Sequence, residues 1–451
     1  MRFVPHTEAD IARMLAAIGV QKISDLFSTV PAGLRKTAVL DLPAGLPEQD
    51  VVARLTDLAA ADRPLASFQG AGCYNHFVPA AVAQILSRSE FATAYTPYQP
   101  EVSQGTLQAC FEFQTYVAIL TGLDVANASV YDGASALAEA VLMSLRIGAR
   151  RDRILISDGV HPEYRAVVET YLGGFGRGTV ETVPLAADGR TDTAALAELI
   201  GDDVAAVCIG YPNLYGVVDD LPGAASLAAA NGALTVSVTT EALALALLRA
   251  PGECGADIAV AEGQSLGLPI SYGGPGVGLF AARRKFVRQM PGRLVGETTD
   301  ERGRRGYVLT LATREQHIRR EKATSNICTN QGLAALATTV FLGLAGRRGL
   351  RELAVRNAVL AHEVAARLEA EAGLARVHTG EFFNEFVVAE PPGDTWYADA
   401  VAAGVIPGVR LRELLPGRRD ADGQLLVTVT ECNAPDQVDA LVRCLAGRRA
   451  A

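Results

Sequence analysis

From about residue 65 to residue 335, helical patterns alternate with short β-rich apolar runs, and this alternation constrains the fold more than any other feature. Strands that are separated by helices run mostly parallel, and a parallel sheet needs helices on both faces. The predicted strands are 153–156, 204–209, 234–238, 257–261 and 277–281. The sequence therefore predicts an α/β protein with a mainly parallel central sheet.

Residues 1–64 are predicted to form an N-terminal arm rather than an independent domain. Thr7 and Asp10 form a variant capping box at the start of a short helix, which Gly19 ends. Prolines then interrupt the helical patterns that follow. Such an arm suits a neighbouring surface, so we expect it to take part in oligomer contacts.

The rest of the chain is predicted to hold two domains. Residues 65–344 carry the alternation and form a large α/β domain. In residues 345–451 the pattern changes to β-like runs at 384–388 and 425–429, with a last helix from about Pro435 to Leu445. This part is predicted to be a smaller α+β domain. A chain of 451 residues with 49% hydrophobic residues is long enough for both.

The composition argues against several classes of protein. A net charge of −9 is a poor match for nucleic acid, and Gly or charged residues interrupt each apolar run before the ~20 residues of a membrane span. The cysteines are odd in number and show no C-x-x-C spacing, which argues against a disulfide framework or a zinc site. They are Cys73, Cys110, Cys208, Cys254, Cys328, Cys432 and Cys444. We expect a cytoplasmic protein without a signal peptide, because Glu8, Asp10 and Arg13 interrupt the N-terminal sequence.

Residues 256–278 have the layout of a cofactor-binding lysine site without the lysine. An apolar strand leads into a polar turn and then into Gly-Gly-Pro-Gly at 273–276. Enzymes that use pyridoxal phosphate (PLP) hold the cofactor through a lysine in such a turn. Ser265 stands at the lysine position. The lysines of the chain are Lys22, Lys36, Lys285 and Lys322, and neither of the last two ends a predicted strand.

A second position of this layout is also unsuited to PLP. An aspartate is expected at the end of the preceding strand, 234–238, because a carboxylate keeps the pyridine nitrogen protonated. Val238 stands there, and its isopropyl group cannot do this. Either the chain has lost a PLP site, or these residues belong to an ordinary strand-and-helix segment.

Two further features fit an inactive PLP site, and each also has a structural interpretation. Gly133, Ala134 and Ser135 start a predicted helix, where free N–H groups suit a phosphate and where small residues also make tight packing turns. His161 follows the strand 153–156, where a ring can lie over a cofactor, although a histidine there is more often structural. We interpret these residues as a vestigial phosphate cup and a vestigial ring position.

Two polar segments are candidates for contacts with a ligand or a partner chain. In residues 94–103, the tyrosine loop, prolines stiffen a polar and aromatic segment, which suits either a cleft wall or a packed contact between subunits. Its candidate residues are Tyr95, Tyr98, Gln99, Glu101 and Ser103. In residues 318–331, the basic loop, Arg320 and Lys322 are candidates for anion binding. A loop that is held by its own polar side chains is the alternative.

Five long motifs resemble the glycine decarboxylase P-protein family. They are YNHFVP at 74–79, AYTPYQPEVSQGTLQACFEFQT at 94–115, NASVYDGASALAEA at 127–140, SYGGPGVG at 271–278 and REKATSNICT at 320–329. The resemblance covers nearly the whole chain. It is specifically to subunit 1, the N-terminal half in bacteria that divide the P-protein into two polypeptides.

The resemblance implies a fold-type-I PLP-dependent transferase fold and an α2β2 assembly in which subunit 2 supplies the lysine and holds PLP. The family's P-protein decarboxylates glycine and passes the aminomethyl group to the lipoyl arm of the H-protein. Ser265 and Val238 agree with the half that lacks the lysine. The resemblance makes the five tyrosine-loop residues, and secondly Arg320 and Lys322, candidates that complete the site on subunit 2. No metal is implied.

Two other functions stay open at this point. The chain could be a non-catalytic scaffold that stabilises subunit 2 or docks the H-protein, and the sequence does not separate this role from completion of the site. It could also be a self-sufficient PLP enzyme that uses Lys285 or Lys322, although neither lysine ends a predicted strand.

Overall fold

The computed structural model describes residues 5–38, 41–62, 65–327, 329–393 and 395–447, so Cys328 lies outside the described residues. By its internal contacts the chain divides into two units, Met1–Pro64 and Leu65–Ala451. The predicted boundary between a large domain at 65–344 and a small domain at 345–451 stays a prediction, because both parts lie in the second unit.

The first unit contains α1 (Glu8–Ile18), α2 (Ala32–Thr37) and α3 (Glu48–Ala60). The predicted capping box is confirmed, because Thr7 N–H donates to Asp10 Oδ2 at 2.9 Å and Asp10 N–H donates to Thr7 Oγ1 at 3.3 Å. Gly19 ends α1 with a φ of 83°, as predicted. None of the described residues of this unit is buried, although several large apolar side chains lie on α1 and α3.

A seven-stranded sheet forms the centre of the second unit, in the spatial order β2-β8-β7-β6-β5-β3-β4. The strands of this unit are β1 (Ala66–Ser67), β2 (Val125–Ala126), β3 (Arg153–Ser157), β4 (Thr179–Val183), β5 (Val204–Gly210), β6 (Leu234–Thr239), β7 (Ile258–Glu262), β8 (Gly278–Ala282), β9 (Leu294–Thr299), β10 (Arg305–Thr310), β11 (Glu385–Ala389), β12 (Val405–Ile406), β13 (Val409–Arg410) and β14 (Gln424–Thr428). From β7 to β4 neighbouring strands run parallel, whereas β8 is antiparallel to both β7 and β2. The predicted mainly parallel α/β fold is confirmed.

The predicted strands of the sheet are present with bounds that differ by at most one residue. They were readable because their residues are almost all buried, which requires continuous apolar sequence. The sequence did not predict β4, because Val183 is the one buried residue of this edge strand. Three of its other residues, Thr179, Glu181 and Thr182, are polar. It also did not predict that β8 runs antiparallel.

Helices cover both faces of the sheet. The helices of this unit are α4 (Ala80–Leu86), α5 (Ser89–Ala92), α6 (Gln104–Thr121), α7 (Gly133–Ile147), α8 (Pro162–Phe175), α9 (Thr193–Leu199), α10 (Leu221–Ala230), α11 (Gln316–Arg319), α12 (Gly332–Ala372), α13 (Trp396–Ala402), α14 (Leu411–Leu414) and α15 (Pro435–Leu445). On one face, Leu137 of α7 and Val168 of α8 pack with Phe280 of β8. On the other face, Val117 of α6 and Phe341 of α12 pack in a second core cluster.

The longest described helix, α12, has 41 residues and is broken at Gly346, where φ is 59°. By length and composition alone, it is the one described helix that could cross a membrane. Half of its apolar window is nevertheless buried, and its buried apolar side chains belong to the hydrophobic clusters of the second unit. These contacts are those of a core helix.

The C-terminal part contains a second sheet, in which β11, β14 and β13 pair antiparallel. The β-like runs predicted at 384–388 and 425–429 correspond to β11 and β14, each displaced by one residue. The last helix, α15, begins at Pro435 and ends at Leu445 as predicted. The second half of α12 and α15 cover this sheet, with Val364, Leu368 and Leu441 in the shared core.

Candidate functional site

The carboxyl ends of β3, β5, β6 and β7 lie at one edge of the central sheet, which is where open α/β sheets bind ligands. His161 follows β3, Glu241 follows β6, and Ser265 follows β7. The N-terminus of α7 lies at the same edge, because Gly133 N–H donates to Glu262 Oε2 at the end of β7. This edge therefore brings together most of the residues that the sequence predicts for a cofactor site.

Ser265 lies in the turn after β7 and is buried, with 2% of its surface exposed. Its hydroxyl has no hydrogen-bond partner among the described residues. A serine hydroxyl cannot bind the aldehyde of PLP as a lysine amine does. Lys285 lies near the opposite end of β7, where its Nζ is 3.5 Å from Asp257 Oδ1, and Lys322 is exposed in the basic loop.

Val238 lies one residue before the end of β6 and is paired in register with Val260 of β7. Its side chain is 1% exposed and belongs to the same core cluster as Phe280. The position that would carry a carboxylate in a PLP site is therefore part of the hydrophobic core. A charged group there would be buried in apolar surroundings.

Carboxylates of the chain itself occupy two N–H groups of the vestigial phosphate cup. Glu262 Oε2 accepts from Gly133 N–H at 2.9 Å, and Asp132 Oδ1 accepts from Ser135 N–H at 2.7 Å. A side chain at position 133 would collide with the Tyr164 hydroxyl and the main chain of Glu262, so the helix needs glycine there. Ala134 is half-buried and packs against the core. The positive end of the helix dipole thus has internal anions.

The Glu262 carboxylate accepts hydrogen bonds from three N–H groups, and the residue is 6% exposed. Its other oxygen, Oε1, accepts from Val277 N–H at 2.9 Å and from Gln264 N–H at 3.1 Å. Burial raises the pKa of Glu262 to about 7, and the charge of Asp132 acts in the same direction. The hydrogen bonds from Val277 and Gly133 act in the opposite direction and lower this pKa. The carboxylate is part of the local structure rather than a free ligand group.

His161 caps α8 and is buried. Its Nδ1 accepts from Glu163 N–H at 3.3 Å, and its Nε2 lies 3.0 Å from the carbonyl oxygen of Ala71, to which it donates in this tautomer. Burial lowers the pKa of His161 below its ordinary value. Both ring nitrogens are therefore satisfied within the protein, in agreement with the structural alternative that the sequence left open.

The segment 70–79 crosses this edge and contacts residues from distant parts of the chain. Tyr74 N–H donates to Gln264 Oε1 at 2.9 Å, and the Tyr74 hydroxyl donates to Glu385 Oε2 at 2.7 Å. His76 bridges two carboxylates, with Nε2 3.0 Å from Glu241 and Nδ1 2.8 Å from Glu431. Among these residues Glu385 is 3% exposed and burial raises its pKa to about 7.

The sequence analysis missed Glu262 and this cluster around His76. The motif YNHFVP carried the resemblance but no predicted role, because its partners lie 165 and 355 residues away from His76. The pattern that could have pointed to them is a run of polar residues directly after predicted strands, such as Thr240 and Glu241 after β6. The described residues include no group of acidic, His and Cys side chains that could hold a metal ion.

The tyrosine loop lies at the surface. Tyr95 is 86% exposed and Tyr98 is 52% exposed, and Gln99 and Glu101 are also exposed. Ser103 is half-buried at the start of α6. Gln104 fixes the end of the loop, since its Nε2 donates to the Tyr307 carbonyl at 2.9 Å and its Oε1 accepts from Tyr307 N–H at 2.9 Å. The loop is thus anchored at its base and open at its tip.

The basic loop is also exposed where it carries its charges. Arg320 and Lys322 are exposed, and Arg320 adopts a φ of 52°, which is unusual for a residue other than glycine. Thr324 N–H donates to the carbonyl of Arg314 at 3.1 Å, so the preceding turn holds the loop. The structure therefore shows a loop that is held by its neighbours and has exposed cationic side chains. This arrangement is compatible both with anion binding and with a purely structural loop.

Taken together, the residues at the sheet edge do not suit PLP. Ser265, at the predicted lysine position, has a hydroxyl group instead of an amine, and Val238, at the predicted aspartate position, has no carboxylate. At the N-terminus of α7, a phosphate dianion would meet the carboxylates of Glu262 and Asp132, which already accept the N–H groups. Repulsion between these carboxylates and the phosphate opposes binding of the phosphate. The fold has a cofactor-binding edge, but this chain fills it with its own side chains.

Solved structures of low sequence identity define the class of fold. A sphingosine-1-phosphate lyase from Burkholderia pseudomallei superimposes with a TM-score of 0.63 at 16% identity, over 91% of this chain and 92% of that chain. A NifS-like protein gives a TM-score of 0.62 at 15% identity, over 85% of this chain and 98% of that chain. The chain has the fold of the fold-type-I PLP-dependent enzymes.

The family follows from closer relatives. The profile of the glycine cleavage system P-protein family matches residues 1–445, and the chain belongs to this family. A probable glycine dehydrogenase (decarboxylating) subunit 1 from Anaeromyxobacter dehalogenans is 52% identical over 97% of this chain and 98% of the relative. One from Moorella thermoacetica is 49% identical over 99% of both.

A crystal structure of the family agrees with this assignment. The inhibitor-bound glycine decarboxylase (P-protein) of the glycine cleavage system superimposes with a TM-score of 0.89 at 44% identity. The match covers 99% of this chain and 100% of that chain. The chain has a role in glycine cleavage.

Proposed function

We propose that this chain is the subunit without the cofactor lysine in a two-subunit glycine dehydrogenase (decarboxylating), and that it acts only in complex with subunit 2. The observation that carries the proposal is Ser265, a buried serine at the lysine position of a P-protein fold. Val238 and Glu262 support it, because the cofactor's ring nitrogen and phosphate would each lack a suitable partner on this chain.

In this proposal, PLP bound by subunit 2 supplies the chemistry that removes carbon dioxide from glycine. The aminomethyl group then passes to the lipoyl arm of the H-protein. The contribution of the present chain is to shape and close the site on its partner. Fold-type-I sites lie at an interface between two chains, so one chain can lose the cofactor while its loops still form a wall of the other site.

The tyrosine loop is the proposed wall. Tyr95, Tyr98, Gln99 and Glu101 are exposed in the isolated chain, while Ser103 and Gln104 hold the base of the loop. Two large aromatic side chains exposed in one short loop are typical of a surface that a partner covers. Arg320 and Lys322 are the second candidates, since their charges would attract a substrate carboxylate or a phosphate.

The first test is reconstitution of the complex. We expect the absorbance of protein-bound PLP with subunit 2 or with the mixture but not with this chain alone, and exchange between glycine and carbon dioxide only in the mixture. Cofactor absorbance with this chain alone would contradict the proposal. It would support the self-sufficient enzyme, and Lys285 and Lys322 would then be the residues to substitute.

The second test separates a wall of the site from a scaffold. We expect Tyr95→Phe and Glu101→Gln to lower exchange roughly 10- to 100-fold with assembly intact, because small displacements in a site have effects of this size. Glu181→Gln is the matched control, since Glu181 is a half-buried carboxylate on β4 that pairs with Arg153. Full exchange in both tyrosine-loop variants would leave only the scaffold role.

Assembly and location are part of the same proposal. We propose an α2β2 complex with subunit 2, transient binding of the H-protein, and a cytoplasmic location. Six cysteines in the described part of the chain are free, which fits a reducing compartment. Size-exclusion chromatography with light scattering on the mixed subunits measures the stoichiometry directly.

A further inference from the structure

We propose that Arg293 is a positioning residue that holds the tyrosine loop and the basic loop in the arrangement that this chain presents to its partner. Arg293 lies just before β9 and is 6% exposed, although it belongs to no motif that the sequence analysis identified. The inference rests on the proposed function, since it names the group that shapes the proposed wall. It does not require Arg293 to touch substrate.

The contacts with the tyrosine loop come from one end of the guanidinium group. One terminal nitrogen of Arg293 donates to the Tyr98 hydroxyl at 3.3 Å, and the guanidinium carbon lies 5.5 Å from the centre of the Tyr98 ring. A cation near an aromatic ring adds an attraction that a neutral side chain would lack. Tyr98 is thus fixed by its ring and by its hydroxyl, while the rest of its surface stays exposed.

The contacts with the basic loop come from the other terminal nitrogen. It donates to Thr329 Oγ1 at 3.3 Å and to Asn330 Oδ1 at 3.4 Å. Asn330 in turn donates from Nδ2 to the Ala128 carbonyl at 2.8 Å, and Ala128 N–H donates to the Arg293 carbonyl at 2.9 Å. The side chain and main chain of Arg293 therefore hold Thr329 and Asn330 of the basic loop against Ala128, which follows β2.

An ion pair completes the arrangement. Arg293 Nε lies 3.6 Å from Glu315 Oε2, and the two side chains are only 6% and 10% exposed. Glu315 directly follows Arg314, and the Arg314 carbonyl accepts from Thr324 N–H in the basic loop. The ion pair between Arg293 and Glu315 therefore also fixes the charged part of the basic loop. A planar guanidinium with five donors can serve all these partners at once, which a lysine cannot.

Strands β9 and β10 pair antiparallel, with Arg293 just before β9 and Arg305 at the start of β10. The experiment compares Arg293→Gln, Arg293→Lys and Arg293→Gly with a matched control on this hairpin, Arg305→Gln. Arg305 also lies over a tyrosine ring, at 5.8 Å from Tyr307, but its side chain is 63% exposed. Each variant is mixed with subunit 2, and kcat and KM for glycine–carbon dioxide exchange are measured. Each variant alone is digested with trypsin under native conditions, and cleavage at Arg319, Arg320 and Lys322 is followed by mass spectrometry.

We expect Arg293→Gln and Arg293→Lys to lower kcat roughly 100-fold with little change in KM for glycine, because the loops are misplaced rather than removed. Cleavage of the basic loop is expected to be about tenfold faster, since proteolysis follows the population of the open loop. Free guanidinium ion at non-denaturing concentration is expected to restore part of the exchange in Arg293→Gly. Arg305→Gln is expected to match the wild type in each assay.

Exchange within twofold of the wild type in Arg293→Gln, or wild-type cleavage rates, would overturn the inference. Loss of exchange without rescue of Arg293→Gly by guanidinium would also overturn it, because a general loss of stability would then account for the result. If the wild-type complex itself showed no exchange, the proposed function would fall instead. The trypsin assay on the chain alone would still decide whether Arg293 holds the two loops.

Discussion

At the scale of single residues, Glu262 is the group that most directly opposes binding of a phosphate at the N-terminus of α7. Its carboxylate accepts N–H groups from Gly133, Gln264 and Val277, so it stands at the N-terminus of α7 where an anion is most stable. Replacement by a small neutral residue leaves those N–H groups unsatisfied and opens an anion site.

We therefore predict that Glu262→Ala destabilises the chain by roughly 1–3 kcal/mol, the usual effect of unsatisfied buried donors. Inorganic phosphate is expected to restore part of this stability in Glu262→Ala and to leave the wild type unchanged. Thermal unfolding with and without phosphate measures both effects. Glu297→Ala, an exposed carboxylate on β9, is the control and is expected to show neither. A phosphate effect in the wild type would show that Glu262 does not block the site.

His76 provides a second residue-scale prediction, which concerns pH. Burial lowers the pKa of His76, but the charge of Glu241 and the hydrogen bonds to Glu241 and Glu431 outweigh it and raise the pKa to about 10. The pKa is therefore above its unfolded value of 6.5. The stability from this charge is complete below pH 6.5 and is lost as the pH rises towards 10.

We predict that His76→Gln lowers the free energy of unfolding by roughly 3–5 kcal/mol at pH 6, because two buried carboxylates lose their cation. The difference between variant and wild type is expected to shrink as the pH rises from 6.5 towards 10. Urea unfolding at pH 6, 8 and 9.5 checks this. A difference that stays constant over this range would mean that His76 is neutral in the folded chain.

The residues of the candidate site could be predicted only where they occupy positions in a local pattern. Val238 ends the apolar run 234–238 and Ser265 lies in the turn after the run 257–261, so the lengths of these runs are what define the two predicted positions. Glu262 ends β7, but nothing in the sequence shows that its side chain turns back to Gly133, 129 residues earlier. Arg293 was missed for the same reason, since it contacts Tyr98 across 195 residues.

At the scale of elements, the helices of the first unit need a surface that the unit does not itself provide. In α3, Val51, Leu55 and Leu58 lie on one side of the helix and are 39%, 60% and 62% exposed. An amphipathic helix without a packed face is only marginally stable in water. We infer that the arm acquires its packing in the assembled complex.

This inference predicts that Leu55→Glu with Leu58→Glu weakens association with subunit 2 at least tenfold. The free energy of unfolding of this chain alone is expected to change by no more than about 0.5 kcal/mol, because the substituted side chains are exposed. Gln49→Glu with Ala53→Glu adds the same charge on the opposite side of α3 and is the control. Analytical ultracentrifugation measures the affinities, and equal affinities would show that the apolar side of α3 is not a contact.

Most elements could be predicted, and the exceptions have a physical cause. Strands buried on both faces, such as β5 and β7, consist of continuous apolar residues and were found with nearly correct ends. The edge strand β4 and the two-residue strand β2 carry too little apolar sequence to be recognised. The direction of β8 is defined by its antiparallel pairing with β7 and β2, which periodicity does not show.

At the scale of the whole molecule, the residues that we propose to be unsuited to PLP lie on several segments and support the fold. Ser265 and Val238 are buried, Glu262 caps α7, and the segment around Tyr74 and His76 fills the edge of the sheet. These groups lie on different strands and loops of the second unit. We therefore expect that a substitution at one position does not create a cofactor site.

We predict that Ser265→Lys alone does not bind PLP covalently. The introduced ammonium would lie in a buried turn, and the Glu262 carboxylate at the end of the preceding strand already accepts three N–H groups. The variant is expected to be less stable than the wild type, because burial of an unpaired charge is unfavourable. Absorbance with PLP and mass spectrometry after borohydride reduction detect any covalent adduct, with wild-type subunit 2 as the positive control. An adduct on the introduced lysine in a folded Ser265→Lys variant would show that the lysine was the one missing part, and that the rest of the edge can still receive the cofactor.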